Sequence, residues 1–428
     1  MTVYPPAHRA RPPAAEAPAR AKLLFVHFSD LDMTGGERMT LRLIEGMRES
    51  GYAPVLLTQR PGPLAQAARA GGIETIILPL PKRLDRYDGE ILRYSPFRLC
   101  ASAVDLLAYN IRFGRLVARE AFSAVWCSNI RALLTVGITA SILGVPVIWN
   151  IWLARQFGSA TRWVYDICYL LPARIVTEYH QQAASAFSKR AIAFGGRKLS
   201  TVYTGLDPSA FAMPGHAPRD DAPFPSAPWR VVSCGRITPR KNFECLLAAI
   251  ALLAARGKPV RATIVGKPFS EPDRQYFEGL KRKVLADGAS SLVTFADWQD
   301  DIHAVLRTAD LYVSSSLAEG LPGAVREAQA AGLPVVATDV GGTREAVQDG
   351  VSGLLVPSGD ARALAAAIEK VMANPTLAAR YGTQGRARAL ELFSAEAFIR
   401  NYRAVFRILL PLPPVEGHTG DYAGTSDI

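Results

Sequence analysis

The sequence predicts an α/β protein built from two doubly wound, Rossmann-like domains that face each other across a cleft. Three observations carry this expectation. The chain has 428 residues, more than a single hydrophobic core ordinarily serves. Short, almost continuous apolar runs alternate with longer helical patterns, as strands buried on both faces of a parallel sheet require. The alternation breaks once, at the Pro-rich, turn-rich "DPSAFAMPGHAPRDDAPFPSAPW" (207–229), and then starts afresh.

Taken in order, residues 1–20 are rich in Pro, Ala and Arg and lack an apolar core, so a disordered tail is expected rather than a signal peptide. "KLLFVHFSD" (22–30) reads as the first strand, and Gly35 and Gly36 lie just ahead of the helical "RMTLRLIEGMRES". "APVLLT", a helix over 63–71 and "IETIILP" follow, then "AVWC" (124–127), a helix over 130–143 and "PVIWNI". "ARIVTEY" and "LSTVYTG" complete a first domain at 21–207. Beyond a linker at 208–228, "RVVSCGRI", "VRATIVGK", "SLVTFAD", "DLYVSSS", "LPVVAT" and "GLLVP" are the strands of a second domain, 229–393. A last helix at 394–410 precedes a tail at 411–428. No internal repeat stands out.

The composition, 49% hydrophobic and 20% charged, is that of a globular enzyme-sized protein. The five cysteines show no C-x-x-C spacing and sit mostly among apolar neighbours. Buried free thiols of a reducing compartment fit better than disulfides or a zinc site, which gives an expectation of a cytoplasmic protein. The uncharged run "ALLTVGITASILGVPVIWNIWLA" (132–154) is long enough to span a bilayer. Gly144 and Pro146 divide it, however, and both flanks are basic (Arg131 and Arg155). A buried helix followed by a buried parallel strand is the better reading.

The net charge of +11 is uneven. Residues 1–207 hold 25 Lys and Arg against 15 acids, and residues 208–428 hold 24 against 23. Nucleic acid, an anionic membrane and a phosphorylated substrate would each answer the excess, as would a solvated face. No nucleic-acid motif or stacking platform accompanies the charge, so nucleic acid is not an expected partner. Residues 82–119 interleave eight Lys and Arg with Tyr87, Tyr94, Phe97, Tyr109 and Phe113. That mixture suits peripheral contact with anionic lipid headgroups at the inner face of a membrane, a lipid-diphosphate-linked sugar, or a solvated helix pair with aromatic core residues.

Ligands of such sheets bind beyond the carboxyl ends of the strands, so the loops there hold the candidates. In "DLYVSSSLAEGLPGAVREA" the strand ends near Ser316 and Glu319 lies just past it. Pro322 suits a first helical turn, and Gly320 and Gly323 let a ligand approach the backbone. The amides of Gly323, Ala324 and Val325 then open a helix N-terminus fit for an anion. Glu327 is one turn further in. In "SCGRITPRKNFECLLAAI", Gly235 ends a strand and Arg236 and Lys241 suit a diphosphate, the first by a two-pronged contact and the second as a point charge. Gly341 and Gly342, like Gly35 and Gly36, form glycine pairs at helix starts. Taken alone, either glutamate reads more readily as a structural acid, and without the companion loop Arg236 and Lys241 read equally as two ordinary surface cations. "DLD" (Asp30 to Asp32) is set aside as a metal clamp, since it sits in the domain without the phosphate loops.

These residues resemble the retaining glycosyltransferases of family 4, of GT-B architecture. The likeness runs from about residue 22 to about 408 and rests on "EGLPGAVRE" (an E-x7-E pattern), "GRI" with "RKN", "GLPVVAT", "GGTREAV" with "GLLVPSGD", and "VYTGLDPSAF". The resemblance implies transfer of a hexose or related sugar from a nucleotide-diphosphate donor to a saccharide or lipid-linked acceptor, in cell-surface polysaccharide or glycolipid synthesis. It implies no metal and no other cofactor. Arg236 and Lys241 would hold the diphosphate and Glu327 the ribose. Glu319, with the amides of Leu321 and Gly323, would face the sugar. Gly235, Gly320, Pro322 and Ala324 would also bind the donor, and Glu319, Arg236 and Lys241 would be the catalytic residues. Gly35 and Gly36 would close on the phosphates from the first domain, and the last helix would cross back onto that domain. One departure stands out: where many members carry a histidine after the "PVVW" strand, this chain reads "PVIWNIWLARQ", with Asn150 and Trp152. That motivates an alternative, a catalytically silent subunit that binds a sugar nucleotide or glycan.

Overall fold

The computed structural model describes residues 20–28, 33, 35–85, 96–151, 159–206, 228–299 and 301–410. Strand β1 (Lys22–Val26) leads to helix α1 (Gly35–Glu49), and β2 (Ala53–Thr58), α2 (Pro63–Ala70) and β3 (Glu74–Ile77) follow. The long helix α3 (Pro96–Glu120) returns to β4 (Ala124–Cys127). Helix α4 (Ile130–Ala132), a π-helical turn (Leu133–Gly137) and α5 (Ile138–Ile142) form one run before β5 (Val147–Ile151). Helix α6 (Ser159–Cys168) precedes β6 (Arg174–Thr177), and α7 (Gln182–Ala186) and α8 (Lys189–Gly195) precede β7 (Leu199–Thr201).

These seven strands form one parallel sheet, in the order β3-β2-β1-β4-β5-β6-β7. The second sheet starts with β8 (Trp229–Cys234), followed by α9 (Phe243–Ala255), β9 (Val260–Val265), α10 (Glu271–Ala286) and β10 (Val293–Ala296). It continues through α11 (Ile302–Arg307), β11 (Leu311–Ser314), α12 (Gly323–Ala330), β12 (Val335–Thr338), α13 (Thr343–Ala346) and β13 (Leu354–Val356). Its six strands run β10-β9-β8-β11-β12-β13, all in parallel pairs. Helices α14 (Ala361–Met372), α15 (Pro375–Phe393) and α16 (Ala395–Leu409) complete the fold.

The strand runs were recognisable because both faces of each sheet are covered; β4 and β5, for instance, are buried at every position. In each sheet the chain reverses its direction of winding at the centre, between β1 and β4 and between β8 and β11. A crevice opens at the carboxyl ends of such strand pairs.

Helix α16 crosses onto the first domain. Phe398, Tyr402, Val405 and Phe406 share one core with Phe25, Tyr52 and Trp126. The Tyr402 hydroxyl donates to Asn150 Oδ1 at 2.7 Å. Asn150, which stands near the position of the family histidine, is therefore buried as an anchor for this helix.

Some expectations need correction. The run 130–142 is not a fully buried helix, since Leu134, Ile138 and Ile142 on it are exposed. Tyr109 and Phe113 are core residues, so they contribute nothing to a surface. Tyr87, Tyr94 and the side chain of Phe97 lie outside the described residues, as do the two tails at 1–19 and 411–428, the linker at 207–227, Asp30, Asp32 and Trp152. Four cysteines are buried free thiols, but Cys100 is exposed. Among the described residues no helix is long and apolar enough to cross a membrane.

Candidate active site

Strands β8 and β11 are neighbours at the winding reversal, and the loops leaving them are stitched together. Leu317 N donates to Arg240 O at 2.8 Å, and Ser315 Oγ donates to Lys241 O at 3.0 Å. Across this seam Lys241 Nζ meets Glu319 Oε1 at 2.6 Å, with side-chain exposures of 16% and 7%. Ser316 Oγ donates to the same Glu319 oxygen at 2.6 Å, and Arg240 lies 3.7 Å from the other. Thr338 and Ser358 both donate to the Ser316 carbonyl, at 2.6 and 3.2 Å. Glu319 is thus held on a loop braced from three strand ends.

Glycines make the braces close. A Cβ on Gly235 would come 3.1 Å from Lys241 Cε, so the lysine stem lies across that glycine. The glycine pair at 341–342, read from sequence as another anion-friendly helix start, seats the Glu319 loop instead. Gly342 N donates to Gly320 O at 2.8 Å, and a Cβ on Gly341 would fall 1.9 Å from Glu319 O.

Pro322 is the N-cap of α12 rather than part of its first turn. The first bond closing the helix runs from Arg326 N to Pro322 O at 3.3 Å, so the amides of Gly323, Ala324 and Val325 lead the helix with no intrahelical acceptor. A Cβ on Gly323 would meet nothing within 4 Å, so the start of the helix is open at that residue. Leu321 is buried beneath them. Burial pushes the Glu327 carboxyl above its usual range, opposed by the charge of Arg326 and by His303. The fields of Glu327 and Lys241 both reach Cys234, whose thiol burial drives up to about 12. Glu319 and Glu327 both act on the buried Tyr312. Lys241 and Glu319 thus meet at the carboxyl ends of β8 and β11, and Glu327 lies on α12, the helix that follows the β11 loop.

Arg236 has a different neighbour. Its guanidinium lies 4.6 Å from the Phe269 ring centroid, and Phe269 packs edge-on against Trp298 at 5.7 Å. Both aromatics are exposed, and Lys267 is 5.5 Å from the Phe269 ring. Sequence reasoning missed this cluster, although Phe269 and Trp298 follow β9 and β10 and reading every strand-end loop would have found them.

The first domain contributes a second missed residue. Glu178, just past β6, has its Oε2 3.7 Å from where a Cβ on Gly320 would stand. Thr204 Oγ1 donates to Glu178 Oε1 at 3.3 Å, and Arg326 of α12 donates to the Thr204 carbonyl. His180 Nδ1 meets Glu345 Oε2 at 2.8 Å beside them. The other candidates of that domain, Gly35 and Gly36, are the first two residues of α1 itself rather than a loop ahead of it. A Cβ on Gly35 would meet nothing within 4 Å. His27 is committed to the interior, 2.8 Å from Thr40 Oγ1 and 3.3 Å from Glu37 Oε1.

Burial pushes the Glu178 carboxyl from 4.5 up to about 7, against the pull of Arg326 and Thr204. Between those values the folded chain holds a proton that the unfolded chain has released. This contribution to stability is complete below the lower value and is lost as pH rises through the upper one. The Glu178→Gln variant should therefore gain on the wild type by roughly 1–3 kcal/mol between acid and neutral pH. Urea unfolding at a series of pH values measures the difference, and a gap that does not change with pH contradicts the assignment.

The fold is that of a GT-B protein: two parallel-sheet α/β domains, with the candidate loops at the strand ends. Residues 34–200 match the family profile described as "Glycosyl transferase 4-like domain", and residues 217–388 match "Glycosyl transferases group 1". The two matches cover most of the chain, which belongs to the glycosyltransferases of the family-4 type. It is 35% identical over 172 residues to the lipopolysaccharide core biosynthesis glycosyltransferase LpsE of Rhizobium meliloti, a match covering 40% of this chain and 48% of LpsE. It is 37% identical over 155 residues to the putative glycosyltransferase EpsD of Bacillus subtilis, covering 36% of this chain and 39% of EpsD. The matches thus span less than half the length of these two relatives. Among solved structures, Anabaena HepE in complex with UDP superposes with a TM-score of 0.69 at 18% identity, covering 90% of this chain and 100% of HepE.

Proposed function

We propose that the chain is a retaining glycosyltransferase that moves a hexose or related sugar from a nucleotide-diphosphate donor to a saccharide or lipid-linked acceptor, in cell-surface polysaccharide or glycolipid synthesis. The observation that carries this reading is the Lys241–Glu319 pair at the winding reversal, with the leading amides of α12 and Glu327 following on the adjoining loop and helix. The UDP bound to HepE and the part of LpsE in lipopolysaccharide core biosynthesis support it.

In this reading the α12 amides and Lys241 take the diphosphate, and Arg236 reaches it from the aromatic side. Positive charge and fixed backbone dipoles stabilise the phosphate as it leaves, with no resident metal needed. The leaving phosphate accepts the proton of the acceptor hydroxyl on the same face, which preserves the anomeric configuration. Glu327 receives the ribose hydroxyls, and Glu319 orients the sugar once the donor draws Lys241 towards its phosphates. Phe269 and Trp298 offer the base a stacking surface. Gly35 and Gly36 approach the phosphates from the first domain. Peripheral contact of that domain with an anionic membrane, at its cytoplasmic face, belongs to the same reading.

A thermal-shift screen of uridine, guanosine and adenosine diphosphate sugars tests it. A donor held at about 100 times its Kd adds about 2.7 kcal/mol, a rise of several degrees. The purified chain should also hydrolyse that donor slowly, whereas a silent binding subunit would shift without hydrolysis. No shift with any of the three classes would end the reading.

A further inference from the structure

The helices covering one face of the first sheet have a surface at odds with their position. Helices α3, α5, α6 and α8 sit over a single core that includes Tyr109, Phe113, Val136, Ala140 and Cys168. Having buried one apolar face, each should turn a polar face outward. On α3, however, the outer stripe is Val104, Leu107 and Ile111, the first two more than 60% exposed. On the 130–142 run it is Leu134, Ile138 and Ile142, spaced by four, with Ile142 at 79%. On α6 it is Trp163 and Ile167, with Leu170 just past its end, and Phe194 of α8 is 83% exposed. Neighbouring helices join these stripes. Asn110 of α3 and Thr139 of α5 are hydrogen-bonded at 2.5 Å, Ser141 Oγ reaches Leu171 O at 3.3 Å, and Tyr169 donates to Gly195 O at 2.9 Å. Among the described residues, α1 and α2 on the opposite face expose no large apolar side chain.

Scattered surface leucines are ordinary, but exposed apolar stripes on four helices of one face mark an interaction site. Its charge selects the partner. Residues 96–206 carry 12 Lys and Arg against 4 acids. Asp105 is paired with Arg83, Glu120 with Lys22, and Asp166 accepts from Ser188 N. The fourth, Glu178, lies at the cleft. Exposed cations border the apolar stripes: Arg112 and Arg115 follow Ile111, Arg162 precedes Trp163, and Lys189 and Arg190 begin α8.

We infer that the outer face of α3, α5, α6 and α8 is a docking surface for an anionic lipid bilayer, with the apolar stripes entering the headgroup boundary and the surrounding cations meeting lipid phosphates. A second copy of the chain would bring like charge against this face, whereas anionic lipid brings the opposite sign. The inference rests on the peripheral-membrane part of the proposed function and supplies its surface. It replaces the aromatic residues at 109 and 113, which are buried.

Sedimentation with phosphatidylcholine vesicles, with and without phosphatidylglycerol, tests it on the full chain. The wild type should bind the anionic vesicles and lose most of that binding as NaCl rises from about 0.1 M to about 0.5 M. Leu107→Gln with Ile138→Gln and Ile167→Gln should weaken vesicle binding by about tenfold or more. Arg112→Glu with Lys189→Glu should do the same for anionic vesicles only. Both variants should keep the wild-type thermal shift with the sugar nucleotide found in the screen. Absence of vesicle binding by a chain that binds its donor overturns this inference alone, while vesicle binding without donor binding overturns the donor reading alone. A wild-type dimer that the apolar variant converts to monomer, with vesicle binding unchanged, would assign the face to a second copy and refute the bilayer.

Discussion

Lys241→Ala is expected to lower sugar transfer by about 10²–10³-fold, the loss seen when a fixed donor to a developing oxyanion is removed. The lysine also neutralises Glu319 at 2.6 Å in a setting where that side chain is only 7% exposed. Its removal leaves a nearly buried carboxylate with Ser316 and a more distant Arg240, so stability should fall as well. A double substitution separates the two roles. Lys241→Met combined with Glu319→Gln has no charge left to compensate and should regain most of the lost stability. It should not regain transfer if Lys241 faces the donor diphosphate as proposed, because that positive charge is still missing. Steady-state kinetics beside urea unfolding make the comparison; a double variant with near wild-type turnover would reduce Lys241 to a structural residue.

Gly341→Ala should cost both stability and activity, because the backbone there has no freedom to give way. Its φ of +53 is a left-handed conformation that carries a penalty of about 1–2 kcal/mol for a residue with a Cβ. The added carbon would also fall 1.9 Å from the Glu319 carbonyl, which is backbone and not a flexible side-chain end. The loop bearing Glu319 and Gly320 must move, so we expect roughly 2–4 kcal/mol of lost stability and at least about tenfold weaker donor binding by calorimetry. Gly350→Ala provides the control, since its φ of +70 imposes similar strain while its Cβ would meet nothing within 4 Å. Equal effects of the two substitutions would show that strain alone decides, and that Gly341 does not seat the loop.

The backbone of this protein was largely legible, because parallel strands covered on both faces must be continuous apolar runs. The seven runs marked in the first half and the six in the second became the strands of the two sheets. Loop positions after β8 and β11 were legible for the same reason. Features set by contacts between distant segments were not. That α3 buries Tyr109 and Phe113 while exposing Val104 and Leu107 depends on which face meets the sheet, and both faces are apolar enough to qualify. Asn150 reads as a missing catalytic group until Tyr402, 252 positions later, is found bonded to it. Glu178 meets the Gly320 loop only through the apposition of the domains, and no local pattern announces it. Glycine pairs were ambiguous in principle: the same absence of a Cβ serves an approaching anion or an approaching carbonyl.

The crossing of α16 has a consequence for how the molecule comes into being. Ribosomes emit the chain from its amino end, and all seven strands of the first sheet are complete by Thr201. The seat occupied by Phe398, Tyr402, Val405 and Phe406 nevertheless stays empty until some 200 further residues have been made. For that interval Phe25, Tyr52 and Trp126 line a hydrophobic trough open to water or to a chaperone. The nascent lobe is thus an unfinished body, and its completion is coupled to the synthesis of its neighbour.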